Sequence, residues 1–154
     1  MTGTLEKGLA KAKKTVEAVL KEMGINAAEN EVESVDGGMA WQVARGSADV
    51  MIGLVPGTKT AAGRVRVVSP IVKMDGGISK EAAVRLLALN GTELPGVAFG
   101  LIDGDMVVLV SERTVLDLNR LELQEMLSMV GYYADKYDDV LVEQFGGTRV
   151  YDLD

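Results

Sequence analysis

Residues 99–110 read "FGLIDGDMVVLV", two apolar runs parted by Asp103-Gly104-Asp105. Two structures compete for such a stretch: the head of a cation-binding loop, or a turn that sends the chain back on itself. A calcium loop needs oxygen ligands at alternate positions over about twelve residues and closes on a bidentate Glu. After Asp105 the chain continues Met-Val-Val-Leu-Val and offers none. Asp-Gly between apolar runs is instead a strong hairpin signal, because both central residues of a type I′ turn need positive φ. The stretch predicts strands over 97–102 and 105–110, and with them an antiparallel sheet.

Helices flank this hairpin. Upstream, Ser79 is placed to cap "KEAAVRLLALN", and Asn90-Gly91 to end it. Ala82, Ala83, Val84, Leu86, Leu87 and Leu89 leave only Lys80, Glu81 and Arg85 as a narrow polar side. A surface helix needs one apolar stripe. The excess means a helix either sandwiched in the core or meeting another subunit. We read it as part of a subunit interface. Downstream, Asn119 and Glu122 form a capping box for a long helix over 119–143. Its stripe is Leu123, Met126, Leu127, Val130, Ala134, Tyr137 and Leu141, widened by Met129, Tyr133 and Val140. Gly131 within it predicts close packing or a bend.

The first half completes the pattern. Leu5, Leu9, Ala12, Val16, Val19, Leu20 and Met23 recur at helical spacing, with Thr4 as the expected N-cap and Gly24 as the stop. Lys7, Lys11, Lys14 and Lys21 lie on the opposite side. Residues 26–38 are polar and predict an exposed connection. Strands follow at 39–44, 48–55 and 64–72, the first two joined tightly through Arg45-Gly46-Ser47. Pro70 marks the third as an edge or a strand end. The order α-β-β-β-α-β-β-α defines one α+β domain over 1–154, an antiparallel sheet covered by helices. About eight terminal residues read as a loose tail or a final extended piece.

Composition narrows the function. The 154 residues carry a net charge of −7, which disfavours nucleic acid as a partner. Residues 1–23 hold five lysines against three glutamates, a net +2 that leaves −9 for the rest; a solvated helix face accounts for this. The sequence has no cysteine and no histidine. Thiol nucleophiles, zinc-thiolate sites and the usual general base are therefore absent. With no cysteine the expected address is cytoplasmic. No apolar run approaches the ~18 residues of a membrane helix, so no membrane insertion is expected.

The remaining motifs read as structure. "GTKTAAGR" (57–64) lacks the Gly-Lys-Ser/Thr ending of a phosphate loop and joins two strands. "DGGIS" (75–79) precedes a helix and offers backbone N–H groups to an anion, but its simpler reading is a turn feeding an N-cap. "VDGGM" (35–39) and "MDGGI" (74–78) are alike as turns, without a repeat. Asp135, Asp138 and Asp139 read as solvated carboxylates, since acid–base work requires a cleft that perturbs them. We assign no catalytic residue, cofactor or metal. Trp41 in the first strand reads as core or as an interface anchor. With Met129 and Tyr133 it makes up the candidate partner-binding set.

Taken together, the element order, "LLALNGTELPGVAFGLIDGDMVVLV" (86–110) and "LDLNRLELQEMLSMVGYYADKYDDVL" (116–141) resemble two related groups. One is the YbjN-like family of bacterial sensory-transduction regulators; the other is the type III secretion chaperones of the Tir-chaperone kind. The likeness is best over 79–147, and residues 1–72 agree in pattern. It implies a small acidic homodimer that binds another protein and performs no chemistry, with the short middle helix, and on it Val84, Leu86, Leu87 and Leu89, at the dimer interface. The expected function is a regulator or chaperone-like adaptor. The alternatives are a dedicated secretion chaperone for one exported partner and, from another class, a small-ligand or anion binder or a carboxylate-based enzyme.

Overall fold

The computed structural model describes residues 2–34 and 37–153, and of residues 2–7 the backbone alone. In chain order the elements are α1 (Thr2–Glu22), α2 (Ala27–Asn30), β1 (Glu31–Val32), β2 (Met39–Arg45), β3 (Ala48–Val55) and β4 (Arg64–Lys73). Then come α3 (Lys80–Thr92), β5 (Ala98–Ile102), β6 (Met106–Thr114), α4 (Arg120–Phe145), β7 (Thr148–Arg149) and a 3-10 turn at Val150–Asp152. The strands form one antiparallel sheet in the order β1-β2-β3-β4-β6-β5, with β7 also paired to β4.

The Asp-Gly hairpin forms, but with a three-residue loop: Ile102 pairs with Met106, so Asp105 lies in the turn and not in the strand. Asp103 has φ 54° and Gly104 φ 77°, and the Asp105 N–H donates to the Ile102 carbonyl at 3.3 Å. The Asp105 carboxylate lies 3.6 Å from Lys73 Nζ. Backbone N–H groups of Met74 and Ile78 donate to the carbonyls of Asp105 and Gly104 at 2.7 and 3.0 Å. The two aspartates thus belong to a turn clamped by the segment after β4.

Helices α1 and α4 cover one face of the sheet. Ala12, Val16, Val19 and Leu20 of α1, and Leu123, Leu127, Val130, Ala134 and Leu141 of α4, are buried. Beneath them lie Trp41, Val43, Val50, Ile52, Leu54, Val65, Val67, Val107 and Leu109. Removing such a side chain from water contributes about 1.5–3 kcal/mol each. Gly131 is the point of close approach: a Cβ there would sit 3.2 Å from Arg45 Cβ. At the end of α1, Gly24 takes φ 76°. The N–H of Gly24 reaches the Lys21 carbonyl and that of Ile25 the Leu20 carbonyl, at 3.0 and 2.8 Å, a Schellman stop. Ser79 caps α3, and Asn119 with Glu122 forms the capping box of α4.

Several expectations are corrected. Because α1 begins at Thr2, Thr4 occupies a helical position and not the cap. Leu5 and Lys7 have side chains outside those described, and Val35 and Asp36 lie outside the described residues. The polar stretch 26–38 contains α2, capped by Asn26, and the edge strand β1, opposite Ala40 and Trp41. Far from being an edge, β4 is central, between β3 and β6. Pro70 is tolerated there because β3 pairing ends at Val68, β7 pairing begins at Val72, and a bulge separates Pro70 from Val72. Asn90-Gly91 does not end α3, which runs on to Thr92; the Asn90 amide is engaged elsewhere. Of the two readings of the tail, the final extended piece holds for Thr148 and Arg149, which pair with Lys73 and Val72 of β4.

Candidate functional site

Strand periodicity sorts the sheet residues onto two faces. Cross-strand register places Trp41, Ile52, Val67 and Ser111 in one row, on the helix-covered side. The adjacent row is Ala40, Gly53, Arg66 and Glu112; the row after that is Gln42, Met51, Val68, Val110 and Ala98. These project from the opposite face, together with Pro70, Val108 and Gly100. An antiparallel sheet that meets water on one side carries polar residues there. Here that side is mainly apolar, and among the described residues no helix packs on it.

The open face holds a groove of about 460 Å³. Its floor and walls include Ala40, Met51, Gly53, Val68, Pro70 and Val108, with Ile102 to one side and Glu33 and Ser34 at the rim. Met51 is 44% and Ile102 42% exposed. Arg66 is half-buried in the same groove. Among its described lining residues Ser34 carries the only hydroxyl, and Glu33 and Arg66 the only charges. What the geometry provides is a mainly apolar groove lined from β2 across to β5, suited to the apolar side chains of a bound segment.

The residues singled out from the sequence fall elsewhere and apart. Trp41 is 1% exposed and packs under the helices, so it is core and not a surface anchor; its odd-numbered register turns it to the covered face. Met129 borders a smaller groove of about 310 Å³ between α4 and β6, beside Met126, Ser111, Glu122 and Glu125. Tyr133 stacks on Tyr137 at 6.2 Å and meets Tyr132 edge-on at 5.0 Å. The four α3 residues divide. Leu86 and Leu89 are buried in the protomer's own core, pulled inward by the helical period, whereas Val84 and Leu87 are 57% and 71% exposed. Only the latter two are free to meet a second copy.

Other candidates are occupied by structure. In the loop after β3, Thr58 Oγ1 accepts from the N–H groups of Thr60 and Ala61 at 3.3 and 3.1 Å. Around 75–79 the N–H of Gly77 goes to the Met74 carbonyl, that of Ile78 to Gly104, and that of Ala82 to Ser79. The aspartates of α4 are not uniformly solvated. Ser47 Oγ donates to Asp135, and Arg149 Nη1 reaches Asp139 at 2.8 Å. Asp138 is buried; burial raises its pKa, against the hydrogen bond from the Asp139 N–H. Lys11 and Lys14 line a shallow hollow beside Asp117–Arg120. Among the described residues no acidic group is arranged to hold a metal ion, and no helix is long and apolar enough to cross a membrane.

The open-face residues were missed because the strands were not divided into their two faces. The signal lay in β3: "ADVMIGLV" is apolar at both parities apart from Asp49, which marks a strand destined to be covered on both sides.

Comparison with known proteins places the chain. A family model described as T3SS (YopN, CesT) and YbjN peptide-binding chaperone 1 matches residues 10–153. The protein belongs to this family of peptide-binding chaperones. Solved structures share the fold. The ExsC–ExsE complex superposes with a TM-score of 0.63 at 14% identity, over 86% of this chain and 94% of that one. The ExoU–SpcU complex from the type III secretion system of Pseudomonas aeruginosa gives 0.57 at 16%, over 81% and 96%. The Yersinia pestis secretion chaperone SycH, bound to a fragment of YscM2, gives 0.52 at 16%, over 81% and 98%. No curated protein matches the sequence.

Proposed function

We propose that this protein is a non-catalytic, homodimeric adaptor that holds an apolar segment of a partner protein on the open face of its sheet. The observation that carries the reading is the uncovered face itself. Burying Met51, Val68, Pro70 and Ile102 under a bound segment removes apolar surface from water in a way the protomer alone does not. Membership of a peptide-binding chaperone family supports it. Homodimerisation is supported by Val84 and Leu87, three residues apart on one side of α3 and both exposed. The lack of cysteine fits a cytoplasmic site of action. Whether the role is regulatory, or that of a dedicated chaperone for one exported protein, depends on the partner.

The test is affinity capture from lysate of the source organism at moderate salt, comparing wild type with Met51→Asp. Enrichment of one or a few proteins by the wild type, lost in the variant, is the expected result. Equal capture by both moves the site off this face, and a blank from the folded wild type contradicts stable partner binding.

A further inference from the structure

We infer that the open face selects apolar segments that carry a carboxylate, and that Arg66 is the residue that reads it. The inference rests on the peptide-binding reading and adds the chemistry of the ligand. Its basis is an ion-pair mismatch across β4 and β6. Glu112 stands directly opposite Arg66 in the sheet register, yet its carboxylate accepts from Arg64 Nε at 2.9 Å. Arg66 makes no ion pair among the described residues. Arg66 is thus a half-buried residue of a mainly apolar groove whose cation no ion pair takes up among the described residues.

The neighbours keep that guanidinium within reach. Along its row the next residues are Gly53 and Ala40, the two smallest side chains available, so no bulk covers it. Met51 and Val68 occupy the following row and supply the apolar contacts that partly exclude water. A cation in that setting favours a planar carboxylate, which a guanidinium can bind through two parallel N–H donors. Glu33, exposed on the rim, makes no ion pair with Arg66 and disfavours a second acidic group at that side. The fitting occupant is an extended peptide with apolar side chains at alternate positions and one Asp or Glu among them.

Fluorescence anisotropy with labelled Ser-Leu-Val-Leu-Xaa-Leu-Val-Ser, where Xaa is Glu, Gln or Lys, tests this directly. Wild type should bind the Glu peptide about tenfold more tightly than the Gln peptide, the margin of a charge-assisted over a neutral hydrogen bond, and the Lys peptide most weakly. The chain's net charge of −7 opposes that ranking, so only a local cation produces it. Arg66→Gln should erase the Glu preference while leaving the Gln peptide within about twofold, and Met51→Asp should weaken all three. Equal affinity of wild type for Glu and Gln peptides, with Met51→Asp still weakening both, overturns the inference and leaves the peptide-binding reading intact. No binding of any peptide by folded wild type overturns both. Saturable binding of decanoate, without discrimination among the peptides, would assign the groove to fatty acids and overturn the inference.

Discussion

The side-chain amide of Asn90 forms a one-residue strand pairing with Phe99: its Oδ1 accepts the Phe99 N–H at 2.7 Å and its Nδ2 donates to the Phe99 carbonyl at 3.2 Å. Among the described strands, β6 alone pairs with β5, so the amide closes part of an otherwise bare sheet edge and ties α3 to it. Asn90→Ala leaves two partly buried backbone groups without partners, and should cost about 1–3 kcal/mol. Urea unfolding monitored by circular dichroism checks this, and a loss below about 0.5 kcal/mol would show that water satisfies the edge equally well.

Helix α3 offers a paired test of self-association. Leu87 is exposed and Leu86 buried, although they are neighbours in sequence. Leu87→Asp should leave the fold intact and convert dimer to monomer in sedimentation velocity. Leu86→Asp places a carboxylate in the core and should cost more than about 3 kcal/mol, enough to unfold the chain. A dimeric Leu87→Asp would put the interface elsewhere.

Asp138 makes stability depend on pH in a definite direction. Burial raises its pKa in the fold above the ordinary 3.8, so the folded state holds the proton more tightly than the unfolded chain does. The resulting penalty appears as pH rises from the ordinary carboxylate value through the raised one, and is complete above both. Asp138→Asn keeps the oxygen that accepts from the Asp139 N–H and removes the charge. Its melting temperature should exceed that of wild type at pH 7, and the gap should close below about pH 4. A gap that widens toward acid would contradict this account.

Gly147 fastens the C-terminal piece. It takes φ 87°, and an added Cβ would lie 2.5 Å from the Lys73 carbonyl oxygen. Gly147→Ala should cost about 1–3 kcal/mol through strain and contact, and should raise amide exchange at Thr148 and Arg149, which pair with β4. Unchanged protection at these two residues would mean that the pairing does not depend on this backbone conformation.

Local chemistry made part of the fold legible in advance. Asp103-Gly104 dictates its turn through φ, and Asn119 with Glu122 caps α4, because both signals act within four residues. The stripe of α4 from Leu123 to Leu141 was visible through its period. Short polar elements were not: Glu31–Val32 and Thr148–Arg149 become strands only because β2 and β4 offer them edges, a tertiary fact. The site was the least legible part. Trp41, read as core or as an interface anchor, turns to the covered face, and α3, apolar nearly all round, divides by period into Leu86 and Leu89 inside and Val84 and Leu87 outside. Arg66 drew no attention, since its lack of a partner follows from Glu112 turning to Arg64, which sequence does not display.

The central claim, that the open sheet face holds the bound segment, is tested most directly by methionine-methyl NMR. The eight methionines include Met51 in the face, and Met126 and Met129 beside the groove between α4 and β6. On titration with the Glu-bearing peptide, the Met51 methyl should shift and saturate while Met126 and Met129 stay in place. Shifts confined to Met126 and Met129, or none at saturating peptide, would contradict the account.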